Sequence, residues 1–530
     1  MARQTTRRQP RIDAFQQAKE TIPERVPVAL PAAGHVPDVD FHLISPGQLR
    51  LAQNVTILHS GYRTRAGTTA IGAAASGDLT YTLNFITSDR TSYFFRFYTN
   101  KVELWAGSTW LPVTGLPTLT ATPESLIVHA AWNDQLIFSN GVDGTYIVNP
   151  LTGVATVIAA AGVADHLTVF GKRLIICRGN VVYWSIRGNY TDFTGLGSGA
   201  EDMLSTPGGF VDSLTGVYPV SDQIAFVVRS GSVWSMSETG NFDAPYQFTR
   251  SFPKIGSSFP LGVATIPEQG IILPANGSVF KITLQNGVED IGIGVSEYIF
   301  NSIADTRKVC GVYDGMRNFY ALFVPNNTSN MTVHICHLIS NQWTAFLYPV
   351  QIRAIALGRY QSAVLTDDLV GQTDALIGQT DSLGVSTQNF GLVITPMDTN
   401  SVVIIEDTIS SNNILGKDVT AAGVRIQSGF EIQTGLLTPI FNRGLVNDTQ
   451  FVAKATRSCQ ISVAYTGDGA QSWEESQTLD ISARSESEPE RATCYLERKS
   501  LCARFRSDAC GDVSLFLMAP SIEPGAAINA

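Results

Sequence analysis

The sequence predicts an all-β protein: a β-propeller of six to seven blades, an additional C-terminal β-sandwich-like domain and an extended N-terminal arm. Three observations carry this reading. Short β-branched and aromatic runs recur in groups of four, with about 40–50 residues to a group. Turn signals punctuate them at Asn133-Asp134, Asn140-Gly141, Asp143-Gly144, Asn276-Gly277 and Asn286-Gly287. Helical periodicity is almost absent, and its best window is Ile12–Glu24. A stack of β-sandwiches is the alternative that linear order leaves open.

Residues 1–40 read as an arm. A basic tail with Arg3, Arg7, Arg8 and Arg11 leads into the short amphipathic window. Pro23, Pro27, Pro31 and Pro37 then forbid regular structure and favour an extended strap. The tail is either a disordered terminus or a docking segment for an acidic partner. Residues 41–78 supply strands, Leu51–Leu58 and then Gly61–Gly67. In the second of them Arg63 and Arg65 alternate onto one face, which is either a solvated edge or a partner contact.

Residues 79–406 hold the blades. The first unit runs Tyr81–Thr87, Ser92–Tyr98, Lys101–Trp105 and Trp110–Val113. The sixth, from Val309 to Phe346, is the clearest meander, with turns at Asp314-Gly315 and Ser340-Asn341. Ile352–Leu357, Ser362–Leu365 and Leu392–Glu406 make a seventh. Trp105, Trp132, Trp184, Trp234 and Trp343 each fall inside a unit and read as fillers between blades rather than sugar-stacking platforms. Inserted at 366–384 is a repeat of period seven, Thr366–Gln372, Thr373–Gln379 and Thr380–Gly384. A Gly in every unit argues against a coiled coil, so repeated Asx and Ser/Thr turns are the reading. Asp367, Asp368, Asp374 and Asp381 give this loop a solvated acidic face, with calcium binding as the alternative. From 407 to 530 the pattern shifts to longer alternating strands, beginning with Val424, Ile426, Phe430 and Ile432, as in a separate sandwich.

The totals exclude several classes. A formal net charge of −10 argues against bulk attraction to nucleic acid. Seven scattered cysteines without a C-x-x-C pair fit free thiols in a reducing cytoplasm. Met1–Arg11 lacks an apolar core for a signal peptide, and no run is long and apolar enough for a membrane span. Thr466–Trp473 nearly matches the Asp-box of sialidase-type propellers, but it is a single copy and reads as a structural hairpin. His334 and Cys336 share a strand face while His337 points away, so they read as a packed strand rather than a metal set. Asp367-Asp368 and Glu474-Glu475 are adjacent pairs, not carboxylates placed across a cleft. No phosphate-binding or nucleophile-elbow motif is present. No catalytic residue, metal site or cofactor is assigned, and the chain is not expected to be an enzyme.

The T-D-x-L-x-G-Q repeat after a Tyr-Asp…Trp meander resembles the tail nozzle proteins of short-tailed bacteriophages, also called tail tubular protein B or packaged-DNA stabilisation proteins. The opening is similar to theirs as well: an A-x-N-V segment (Ala52, Asn54, Val55) precedes R-x-R-x-G (Arg63, Arg65, Gly67). The resemblance spans roughly residues 40–520. It implies a virion structural protein assembled in the host bacterial cytoplasm. It further implies a homo-hexameric ring that docks on the adaptor or head-to-tail connector, contacts tail fibres or needle, and passes double-stranded DNA without reading its sequence. In such proteins the C-terminal domain and the N-terminal segment together build the docking platform, which implies that the strands of 41–78 join it. Arg3, Arg7, Arg8, Arg11, Arg63 and Arg65 are then docking candidates, and Asp367, Asp368, Asp374 and Asp381 belong to a channel or inter-subunit loop. A propeller that binds or cleaves host glycans is the alternative, and a cellular scaffold propeller a third.

Overall fold

In a computed structural model of the chain the described residues are 24–25, 28–29, 34–39, 43–44, 48–58, 61–203, 212–285, 287–301, 303, 308–326, 331–361, 388–398, 401–407, 417–420, 425–427, 429–434, 443–455, 459–466, 472–482, 488–499, 502–507 and 513–524. The fold is a β-propeller. Six blades are consecutive antiparallel meanders, and a composite sheet completes the circle as the seventh. The innermost strands are, in order, Leu79–Ile86, Val128–Trp132, His166–Phe170, Leu214–Pro219, Ala264–Ile266, Cys310–Asp314 and Ile352–Gln361.

Second strands such as Ile224–Arg229 (IAFVVR) and Phe319–Phe323 (FYALF) are apolar without alternation because neighbouring blades cover both of their faces. The tightest turns follow the sequence signals. Asn133 (φ 45°) and Asp134 (φ 60°) take the left-handed pair that a two-residue hairpin requires, and Asn276 and Gly277 repeat it. Polar tips of buried rings tie blade to blade. Trp343 Nε1 donates to Ile291 O at 2.6 Å, Tyr246 OH to Phe170 O at 2.9 Å and Tyr320 OH to Gly262 O at 2.6 Å.

Closure comes from the other end of the propeller sequence. Ile352–Gln361, Gln388–Pro396 and Val403–Asp407 form three strands of the seventh blade, and Gly67–Ile71 adds the fourth, antiparallel, with Glu406 opposite Thr68. This corrects two expectations. Gly67–Ile71 belongs to the propeller rather than to the platform strands of 41–78, and the second strand of the blade is Gln388–Pro396. Ser362–Leu365 and the repeat at 366–384 lie outside the described residues. Trp110 of the first blade donates Nε1 to Ile71 O at 3.2 Å and fastens the closing strand from the other side.

The platform is a sandwich made from both ends of the chain. One sheet holds Val55–Leu58, Gly61–Thr64, Val513–Pro524, Arg443–Ala455 and Glu488–Lys499. Glu24–Arg25 and Val28–Ala29 pair along Val513–Pro524 in the same sheet. The second sheet holds Leu49–Gln53, Phe430–Thr434, Cys502–Ser507, Cys459–Thr466 and Glu474–Ile481, and it continues the sixth blade through a parallel bridge, Gln53 to Ala345. Between the sheets lie Leu49, Val55, Tyr62, Ile432, Ile461, Val463 and the edge-to-face pair Phe451–Phe505, centroids 5.5 Å apart. Of the window Ile12–Glu24, Glu24 lies in a strand opposite Ile522, and the rest is outside the described residues.

Candidate functional site: the junction, the axis and its mouth

The residues singled out by the sequence meet three fates. Arg3, Arg7, Arg8 and Arg11, and Asp367, Asp368, Asp374 and Asp381, lie outside the described residues. Arg63 is exposed on its strand, its backbone between Thr56 and Ser514. Arg65 is buried at 2% exposure and offers no surface for docking, which corrects its assignment. The strand ends at Thr64, and the chain there leaves the sandwich for the seventh blade, so the alternation that placed Arg65 beside Arg63 stops one residue short.

Arg65 instead anchors the junction between platform and propeller. Its Nε donates to Asn54 Oδ1 at 3.0 Å, one terminal nitrogen to Leu347 O at 2.7 Å and the other to Ala66 O at 2.8 Å, while its carbon lies 4.5 Å from the Tyr348 ring centroid. Asn54, at φ 55°, sends its backbone N–H to Ala345 O (2.7 Å) and its side-chain amide to Gly429 O (2.8 Å), and accepts from Leu347 N (2.8 Å). Beyond the ring, Tyr348 OH donates to Glu406 Oε1 at 2.7 Å. Glu406, fully buried, also meets Arg317 at 3.0 Å and accepts from Leu392 N at 3.1 Å; Arg317 bonds Asp314 at 2.6 Å. Burial works against the Arg317 charge, but Glu406 and Asp314 outweigh it and hold its pKa above the ordinary value. Sequence reasoning listed Asn54 only as part of a pattern and missed Glu406, whose place in the apolar run Val402–Glu406 was the available signal.

The axis of the propeller encloses a cavity of about 380 Å³ bordered by side chains from all seven innermost strands. Its polar lining comprises Tyr81, His129, His166, Tyr218 and Cys310 together with Asn84, Thr265 and Tyr313. Burial lowers both histidines to about 4, and for His166 the neighbouring His129 adds to the shift. Burial also raises the Tyr81 and Tyr218 hydroxyls, and it pushes the Cys310 thiol to about 12. These five titratable groups are therefore uncharged near neutral pH. Val217 N donates to His166 Nδ1 at 3.4 Å, which leaves the proton on Nε2. His129 Nδ1 is shielded and has no partner among the described residues. The axis can hold a small uncharged guest or water.

Where the innermost strands begin, a wider cavity of about 510 Å³ opens at the mouth. Thr120, Thr122, Ser125, Ser213, Thr215 and Ser258 line it with hydroxyls, and Glu124 and Asp165 supply carboxylates. It has no aromatic side chain in its lining. Glu124 pairs with the nearly buried Lys308, whose pKa falls to about 8 through burial and the nearby Arg353 charge. Elsewhere, His334 packs edge-on to Tyr298 at 5.5 Å, and His35 meets the same ring at 5.4 Å. His337 lies near Phe319. No helix among the described residues is long and apolar enough to cross a membrane.

No family model matches the chain, and no curated protein does. Solved structures are similar at the level of fold. BBS1N in complex with ARL6DN is 13% identical with a TM-score of 0.38, covering 67% of this chain and 99% of that one. The Pan2 WD40 domain of Neurospora crassa is 9% identical with a TM-score of 0.37, over 67% of this chain and 98% of that one. YCF48 bound to D1 peptide is 8% identical with a TM-score of 0.38, over 65% and 100%. Likeness at this level carries no argument about function.

Proposed function

We propose that the chain is a non-enzymatic virion structural protein, the tail nozzle of a short-tailed phage. Copies pack edge to edge in a ring, taken as a hexamer, that docks on the adaptor or portal complex, retains packaged DNA and passes it during ejection. What supports the reading is the platform: a sandwich built from both chain ends and fused to the sixth blade, with Asn54 and Arg65 of the nozzle-like opening at the fusion point. The axial cavity of one propeller, about 380 Å³, is far too small for a duplex, so DNA runs between subunits in this reading. The test is the mass of the purified protein by light scattering, alone and mixed with portal–adaptor complex. A ring of six copies on the complex is the expected result; a monomer or trimer that ignores the complex overturns the proposal.

The mouth cavity favours a second reading, a propeller that holds a host glycan. Hydroxyls with Glu124 and Asp165 suit a polyol, although an aromatic platform is missing from the lining. Binding to cell-surface polysaccharide that disappears in Glu124→Gln and Asp165→Asn would support it; no binding by the wild type would end it.

A further inference from the structure

Among the described residues, no Asp, Glu, Lys or Arg borders the cavity on the propeller axis. Rings line one arc of its wall: Tyr81, His129, His166 and Tyr218 come in turn from the innermost strands of the first four blades. The Tyr81 and His129 ring centroids lie 6.1 Å apart, and those of His166 and Tyr218 4.8 Å apart. Gly216 leaves room for this arc, because a Cβ there would come within 2.7 Å of the His166 ring and 2.9 Å of the Tyr218 hydroxyl. The arc contributed by the last three blades is mainly aliphatic, with Val263, Val312, Ile355 and Leu357. At about 380 Å³ the space falls within the range of small-molecule cavities, about 300–1,000 Å³. Pro260 borders both this cavity and the mouth, which marks the way in.

Part of the polar lining is already spent on the chain itself. Tyr218 OH donates to Pro260 O at 2.8 Å, Tyr313 OH to Asn318 Oδ1 at 3.4 Å, and Asn84 Oδ1 accepts from Arg359 N at 2.8 Å. Tyr81 OH makes no hydrogen bond among the described residues, and neither does His129. His166 accepts at Nδ1 from Val217 N, so its Nε2 carries the proton, and that N–H also has no partner among the described residues. Three successive blades thus bring unspent polar groups to a wall that is otherwise aromatic and aliphatic. An ionic guest would lose its hydration and find no counter-charge there. Water alone would pair the polar groups but would leave the apolar arc wet.

We propose that the axial cavity binds one small, uncharged aromatic molecule that bears a carbonyl acceptor. Its ring packs between the aromatic arc and the aliphatic one, and its carbonyl oxygen accepts a proton donor that Tyr81 and His166 leave unpaired. The site belongs to a single copy of the chain, so it rests neither on ring assembly nor on a glycan at the mouth.

Calorimetric titration of the full chain with acetophenone should saturate at one molecule per chain. Benzoate, of similar size but charged, should bind about tenfold more weakly or not at all. Tyr81→Phe combined with His166→Phe keeps the rings and removes the donors, and should weaken acetophenone about tenfold. Crystals soaked in 4-bromoacetophenone should show an anomalous bromine peak on the axis. A titration without saturation, benzoate binding as tightly as acetophenone, undiminished affinity in the folded variant, or an axis that holds only water overturns the proposal. Should the variant fail to fold, the wild-type titrations and the soak still decide it.

Discussion

Asn54 Oδ1 accepts from both Arg65 Nε, at 3.0 Å, and Leu347 N, at 2.8 Å, so one oxygen joins the platform, the sixth blade and the approach to the closing strand. Arg65→Met would strip three buried or partly buried hydrogen bonds from this point, a loss of about 1–3 kcal/mol. Denaturant unfolding measures it. Amide exchange should accelerate at Gly67–Ile71 before it does in the second to fifth blades; uniform exchange would refute the junction's role.

Asn54 itself gives a cleaner pair of variants. Asn54→Gly and Asn54→Ala remove the same side chain, yet the residue sits at φ 55°. Alanine should therefore cost about 1 kcal/mol more than glycine. Equal stabilities would mean the backbone there relaxes.

Glu406 and Arg317 should behave as a coupled pair. Glu406→Gln leaves Arg317 with only Asp314 as charged partner among the described residues and is expected to destabilise by about 3–5 kcal/mol. Adding Arg317→Met should recover part of that loss, and a double-mutant cycle reads the coupling. Strict additivity would rule the coupling out.

Acid should loosen the fold through its buried histidines. Burial holds His35 at about 3 and His129, His166, His334 and His337 at about 4, all below the ordinary 6.5. The unfolded chain takes up protons that the folded chain refuses, so stability is fully present above pH 6.5 and falls as the pH drops towards 4. Denaturant midpoints between pH 7.5 and pH 4.5 should decline. His166→Gln should flatten the decline, and an unchanged slope would exclude that residue's share.

Gly311, in the innermost strand of the sixth blade, lies close against the segment that leads into the innermost strand of the fifth. A Cβ there would lie 2.2 Å from Gly262 O, beside the bond from Gly311 N to Leu261 O. Gly311→Ala should cost about 1–3 kcal/mol by overpacking, read from thermal unfolding. A neutral outcome would show that the fifth and sixth blades separate easily.

Local chemistry made most of the propeller legible. The Asn-Asp turn at 133–134 and the apolar second strands announce themselves within a few residues, because hairpin twist and two-sided burial act over that range. Closure by Gly67–Ile71 was not legible: its partner, Val403–Asp407, is far along the chain, and both segments are too short to signal pairing. Arg65 was misread for a related reason, since charge at an apparently alternating position suggests solvent until the strand is seen to end at Thr64. The axial histidines carried no local signal either. His129 and His166 become neighbours only when the blades close around them.

Because Gly67–Ile71 closes the seventh blade, the order of synthesis differs from the order of pairing. The ribosome makes this strand early and its partner, Val403–Asp407, last among the propeller strands. At roughly 5–20 residues per second the wait is about twenty seconds to a minute. Through that interval Gly67–Ile71 has no mate, and Val55–Leu58 and Gly61–Thr64 have only each other, while the first five blades can already form. The nascent chain is then most exposed to aggregation around Val55–Ile71, and a chaperone that shelters that segment would raise the yield of folded protein most.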